Sequence, residues 1–177
     1  MRCFLAIELG KEAKEELAKI QKQLPEAKMK LVENENLHLT LKFLGEISDS
    51  QANHVKEALR HIKFEKINAK LGNAGVFSPS FIRVVWVALE PSSKIKELHA
   101  KIDEILEKEK FRKDSQFESH VTLARVKTVK NRDNFVKDIE KIKARPVNFE
   151  IESFILKKST LTGKGPVYED IARFELL

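Results

Sequence analysis

Two rhythms of apolar and polar residues run through this chain, one repeating every second position and the other every three to four. Period two, or a short apolar run, predicts strands at Arg2 to Ile7, Met29 to Val32, Leu37 to Leu44, Ile67 to Leu71 and Ile82 to Leu89. The same signal continues at Glu118 to Val126, Val147 to Leu156 and Val167 to Phe174. Helical spacing marks Gly10 to Leu24, with Ala13, Leu17, Ile20 and Leu24 on one side and Pro25 just past the end. Ser48 and Gln51 form a capping box before a second helix, whose stripe is Ala52, Val55, Ala58, Leu59 and Ile62. A third helix follows Pro91-Ser92-Ser93, with Ile95, Leu98, Ile102, Ile105 and Leu106 facing inward, and a fourth spans Asp133 to Lys143. Gly72-Asn73-Ala74-Gly75 and Ser78-Pro79-Ser80 read as breaks between strands, and Lys157 to Pro166 as a flexible loop.

This irregular alternation, with hairpin-length links, predicts an α+β protein with mainly antiparallel sheets. Its 177 residues suit one folding unit, 1–177, with room for two lobes. Mean hydropathy of −0.36 and 34% charged residues describe a soluble globular chain, and no apolar run approaches the roughly 20 residues of a membrane span. Charge arrives too early after Met1 for a signal peptide, so a cytoplasmic protein is expected. The single cysteine, Cys3, lies in a predicted strand and reads as a small buried apolar residue. A net charge of +6 and a pI near 9.3 favour polyanionic partners, and leave RNA, DNA and acidic membranes open.

Within the strands one pattern occurs twice. His38-Leu39-Thr40-Leu41 and His120-Val121-Thr122-Leu123 both read His, apolar, Thr, apolar, and stand about 80 residues apart. Period two sends each His and Thr to one face and anchors the apolar pair in the core. With average residue usage, two such matches among five histidines arise by chance on the order of once in 1000 chains. Two of these strands side by side offer two imidazoles and two hydroxyls to one small anion. Phosphodiester cleavage by water needs a base for the nucleophile and an acid for the leaving oxygen, and imidazoles suit both tasks. Thr40 and Thr122 would meet charge on the non-bridging oxygens.

Arg125 lies in period two with Leu123, so a regular strand turns it away from the His face; only a bulge or strand end brings it to the phosphate. Tyr168, the only tyrosine, and Phe4 and Phe77 are candidates to contact a base or phosphate, against the plainer reading that all three pack in the core. His54 and His61 read as surface residues, and His99 as lying off the buried face of its helix. Paired cysteines, a His-Glu-x-x-His and a Gly-x-Ser-x-Gly elbow are all missing, and the Gly163-Lys164-Gly165 segment is no nucleotide P-loop. The residues therefore predict no metal and no cofactor.

The tandem motifs, Arg125 after the second, the opening Arg2-Cys3-Phe4-Leu5-Ala6-Ile7, the Phe77 region before the Trp86 strand and the closing Gly165-Pro166-Val167-Tyr168 together resemble the two-histidine phosphoesterases. Within that superfamily the chain is similar to the bacterial and archaeal RNA 2′,3′-cyclic phosphodiesterases, formerly named 2′-5′ RNA ligases. The resemblance implies a bilobal fold with a pseudo-twofold axis, two antiparallel sheets backed by helices, and a central cleft. It also implies that His38 donates a proton to the leaving 3′-oxygen while His120 activates water, leaving a 2′-phosphate. The older name implies joining of tRNA halves through a 2′-5′ linkage, with a ribose hydroxyl in place of water. Lysine-rich connections at Lys108 to Lys113 and Lys127 to Arg132 would suit an RNA backbone near the cleft. Two other readings compete: hydrolysis of a small cyclic nucleotide such as ADP-ribose cyclic phosphate, and a non-catalytic RNA-end-binding protein. A monomer is expected.

Overall fold

The computed structural model describes residues 1–177. In chain order the elements are β1 (Arg2–Glu8), α1 (Lys11–Gln23), β2 (Lys28–Leu31), β3 (His38–Glu46), α2 (Asp49–Leu59), β4 (Ile67–Val76), β5 (Val84–Glu90), α3 (Ser92–Lys108), β6 (His120–Thr128), α4 (Arg132–Glu140), β7 (Asn148–Ile151), β8 (Ser153–Thr162) and β9 (Gly165–Glu175). The strands form two antiparallel sheets, ordered β3-β1-β8-β9 and β2-β6-β5-β4-β7. The α+β, two-sheet expectation holds.

Helices cross between the sheets. α1 leaves β1 of the first sheet and packs on β6 of the second, whereas α3 leaves β5 and packs on both β5 and β3. Their apolar stripes, Ala13, Leu17 and Ile20 on α1 and Ile95, Leu98, Ile102 and Leu106 on α3, are buried in one continuous core. α2 begins with the expected capping box: Gln51 N–H donates to Ser48 Oγ at 3.1 Å, and Ser48 N–H to Gln51 Oε1 at 2.9 Å.

Four local expectations are corrected. The single strand expected over Val147 to Leu156 is two, β7 at the edge of one sheet and β8 inside the other. The segment Lys157 to Pro166 is a hairpin and no flexible loop, because β8 runs on to Thr162 and Thr162 pairs with Gly165 across the two-residue turn Gly163-Lys164. Lys157, which as a sequence position reads as a loop residue, is a buried lysine held by Glu8 and Asp170. Gly72-Asn73-Ala74-Gly75 is an irregularity inside β4 and no break: a Cβ on Gly75 would come within 2.6 Å of the Trp86 indole, so glycine is what lets that ring lie flat on β4. His99 is buried at 7% exposure, since it faces Phe117 and Asp114 from the loop after α3. His54 and His61 are exposed, as expected, and Cys3 is buried.

Candidate active site

Both motif strands, β3 and β6, show the same sequence of environments along nine residues: His half-buried, apolar buried, Thr half-buried, then two consecutive buried residues, then one exposed. Two buried neighbours in a row mark a β-bulge. On β3 Leu5 faces Lys42 and Ala6 faces Thr40, so Leu41 is the extra residue. On β6 Val85 faces Ala124 and Trp86 faces Thr122, so Leu123 is the extra one. Each bulge shifts the alternation by one step, which puts Arg125 on the same face as His120 and Thr122. The side chain is exposed, and its charge acts on both His120 and Tyr168. The regular-strand objection to Arg125 is thereby removed.

Leu39, Leu41, Val121 and Leu123 are 0–1% exposed and fix the two strands in the core, each leucine worth about 2–5 kcal/mol against alanine. From that base the imidazoles are locked in a common way. His38 Nδ1 lies 2.7 Å from Asn36 O, and His120 Nδ1 lies 2.7 Å from Glu118 O. A carbonyl only accepts, so Nδ1 carries the proton in each ring and Nε2 is left with a lone pair. Nε2 of His38 accepts from the Thr40 hydroxyl at 2.9 Å. Nε2 of His120 has no protein partner. Burial is the main force on both rings: it holds His38 down at about 4 and His120 below its ordinary value, with Arg125 adding to the effect on His120.

Aromatic rings flank each histidine. Phe4, 4% exposed, stacks on His38 with ring centroids 5.1 Å apart, and Tyr168 meets Phe4 and His38 edge-on at 4.9 and 5.4 Å. Across the cleft Phe77 stands edge-on to His120 at 4.8 Å and lies against Trp86 at 5.3 Å. Trp86 Nε1 is buried with no acceptor. Asn36 Nδ2 donates to Pro166 O at 3.1 Å, which ties the segment before His38 to the hairpin carrying Tyr168. His38, Thr40, Phe4 and Tyr168 thus gather on one side of the cleft, and His120, Thr122, Arg125 and Phe77 on the other.

Sequence reasoning missed two charged groups, Lys157 on this face beside Phe4 and Lys42 behind it. Lys157 stands opposite Phe4 in the sheet, with its ammonium between Glu8 and Asp170. Burial pulls its pKa down, but the two carboxylates outweigh burial and hold it above the usual range. Lys42, 3% exposed, donates to Asp103 Oδ1 at 2.5 Å, Asp114 Oδ1 at 3.0 Å and Arg112 O at 2.9 Å, while His99 Nε2 lies 2.8 Å from Asp114 Oδ2. His99, Asp103 and Asp114 bring ligand atoms within 4.8 Å of one another, but the Lys42 ammonium already fills the space a cation would take. The signal for Lys42 was faint: a regular strand would have turned it outward, and only the bulge buries it.

The model of one family, described as LigT like phosphoesterase, matches the chain twice, over residues 7–86 and 87–168, with one His-x-Thr motif in each match. The chain belongs to the LigT-like phosphoesterase family. Among its relatives is the RNA 2′,3′-cyclic phosphodiesterase of Methanocaldococcus jannaschii, 40% identical over 174 residues, which cover 97% of this chain and 98% of that one. A protein of the same name from Archaeoglobus fulgidus is 36% identical over 180 residues, covering 99% and 100%. Among solved structures, a protein of Thermus thermophilus superimposes with a TM-score of 0.80 at 26% identity, covering 99% of this chain and 97% of that one. Escherichia coli LigT in complex with 3′-AMP gives 0.79 at 25% identity, covering 99% and 97%. The two sheets facing one cleft are therefore the LigT-like arrangement, and the expected family and fold are both borne out.

Proposed function

We propose that this protein hydrolyses RNA 2′,3′-cyclic phosphate ends to 2′-phosphates, using His38 as acid and His120 as base and requiring no metal ion. The observation that carries the proposal is the matched locking of the two imidazoles, each with Nδ1 bonded to a backbone carbonyl, which leaves the lone pair on Nε2. The names of the relatives support the substrate.

In the reaction, water gives a proton to His120 Nε2 as its oxygen attacks phosphorus. The bond from phosphorus to the 3′-oxygen breaks, and that oxygen takes the proton from His38 Nε2, leaving a 3′-hydroxyl and a 2′-phosphate. Thr40 changes from donor to acceptor toward His38 when the ring is protonated. Thr122 and Arg125 meet the charge on the non-bridging oxygens, and Phe4 and Tyr168 bound the nucleoside. A ribose 5′-hydroxyl in place of water, attacking by the same steps with the 3′-oxygen leaving, gives a 2′-5′ linkage; tRNA halves have the ends this needs. One chain carries both histidines, so a monomer suffices.

The test is incubation of the purified protein, with chelator, with a short RNA ending in a 2′,3′-cyclic phosphate. A 2′-phosphate product is expected, with His38→Ala and His120→Ala each costing at least roughly 100-fold in kcat. A 3′-phosphate product, dependence on added metal, or losses under tenfold would overturn the proposal. An untouched RNA end with rapid opening of ADP-ribose cyclic phosphate would move the substrate to small nucleotides, and tight binding without turnover would make the protein an RNA-end binder.

A further inference from the structure

Beside the cleft runs a second depression, a groove of about 330 Å³ between β3, the edge strand of its sheet, and the loop that follows α3. Phe43, Phe111, Arg112, Lys113 and Ser115 line it. We infer that this groove holds the single-stranded RNA upstream of the reacting end, so that the protein is built for oligonucleotides and not for nucleoside cyclic phosphates. The inference rests on the proposed phosphodiesterase reading and names the substrate's size.

Four observations carry it. Phe43 is 68% exposed, although nothing in the packing of β3 requires a phenylalanine there. The bulge at Leu41 turns it to the catalytic face, at the position Arg125 holds on β6, and its ring lies 6.2 Å from Phe4, which in turn stacks on His38. Phe43 therefore borders both cleft and groove, and its exposed ring offers a face on which a base stacks whatever the sequence.

The loop opposite is held in shape. α3 ends in a Schellman motif in which Phe111 N–H donates to Leu106 O and Lys110 N–H to Glu107 O, both at 3.0 Å, with Lys110 at φ 68°. That turn packs Phe111 against the core and sends Arg112 and Lys113 outward. Lys42 then fixes the next turn through Arg112 O and Asp114.

The charge is one-sided as well. Asp114 is the acid on the groove wall, and its carboxylate is already engaged by Lys42 and His99. Arg112 has no ion pair, and Lys113 has only an exposed one with Glu107 at 3.5 Å, which a phosphate can replace. One exposed ring beside an unpaired cation and a weakly paired one, next to the proposed phosphate site, fits a single strand of RNA better than a protein segment.

The test compares Phe43→Ser and the double variant Arg112→Ala/Lys113→Ala with the unaltered protein. Fluorescence anisotropy measures binding of a five-nucleotide RNA ending in a 2′-phosphate, and competition measures a nucleoside 2′-phosphate. The expected result is that the ratio of the two affinities favours the oligonucleotide at least tenfold in the unaltered protein and falls at least fivefold in each variant. The salt slope for the RNA should drop by roughly one in the double variant. An affinity ratio that neither variant changes would overturn the inference and leave the groove to another occupant, such as a peptide. Cyclic-phosphate hydrolysis is followed separately: its absence would defeat the proposed reaction, while the affinity ratio would still decide the groove.

Discussion

Laid over one another, β3 and β6 share a histidine, a threonine, a bulge and a burial pattern, and differ in what holds the bulge in place. On β6 the bulge is pinned by neutral groups. Gln21 on α1 donates its amide to Leu123 O and Val32 O, both at 2.9 Å, Val32 N–H also reaches Leu123 O, and the next residue is the small Ala124. On β3 the corresponding residue is Lys42, tied by charge to Asp103 on α3 and Asp114 beyond it. One half of a duplicated frame thus kept a plain hydrogen-bonded support, while the other is held by buried ions. The consequence reaches the chemistry, because the ionic side carries the more deeply buried histidine, bonded to its threonine, and the neutral side carries the histidine whose Nε2 is free. In the proposed reaction the acid waiting for a proton and the base ready to take one would differ in just this way.

The sharpest way to break the comparison is to remove the ionic support alone. Lys42→Met leaves Asp103 and Asp114 without their cation, and should cost about 3–5 kcal/mol of stability in urea unfolding, with most of it regained when Asp103→Leu is added. The matching change on the other side, Gln21→Met, should cost about 1–2 kcal/mol, because Leu123 O keeps the Val32 N–H. Equal losses would mean that the two supports are equivalent after all. Arg125→Ala removes the cation that only the second strand presents, and should lower kcat/KM by roughly 10- to 100-fold, as expected for a hydrogen bond to a charged group. A loss under threefold would return Arg125 to the surface.

A subtler effect concerns pH. With His38 lowered to about 4 and His120 lowered as well, the free enzyme carries one proton between the two rings only in the acidic range, and the proposed mechanism needs it on His38. The profile of kcat/KM should therefore peak below pH 6.5 and fall about tenfold per unit on the alkaline side. The profile of kcat should extend to higher pH, since a bound phosphate anion raises both rings. Arg125→Ala should move the alkaline limb of kcat/KM upward, because that guanidinium helps to hold His120 down. A kcat/KM still rising from pH 7 to 8 would contradict the assigned protonation states.

Much of this was legible in the sequence, and the reason is chemical. His38, Thr40, His120 and Thr122 announced themselves because side-chain period and catalytic type coincide on one strand, and the Ser48 capping box and the buried stripes of α1 and α3 are equally local signals. Bulges are not local signals: nothing in Leu41-Lys42 or Leu123-Ala124 distinguishes an extra residue from a regular one. Phe43 and Lys42 were therefore given no role, and Arg125 was a candidate only on condition of a bulge that the sequence does not show. His99 and Lys157 were missed for a related reason, since their partners Asp114, Glu8 and Asp170 lie on other elements and appear only when the chain is folded.

The division of labour between the two lobes can be tested with a single substrate, an RNA end whose 2′,3′-cyclic phosphate carries sulfur in place of the 3′ bridging oxygen. A thiolate leaves without a proton, so the need for an acid disappears while the need for a base stays. His38→Ala should regain at least tenfold of its lost rate on this substrate, and His120→Ala should regain none. Rescue of His120→Ala and not of His38→Ala would contradict the account by reversing the two roles.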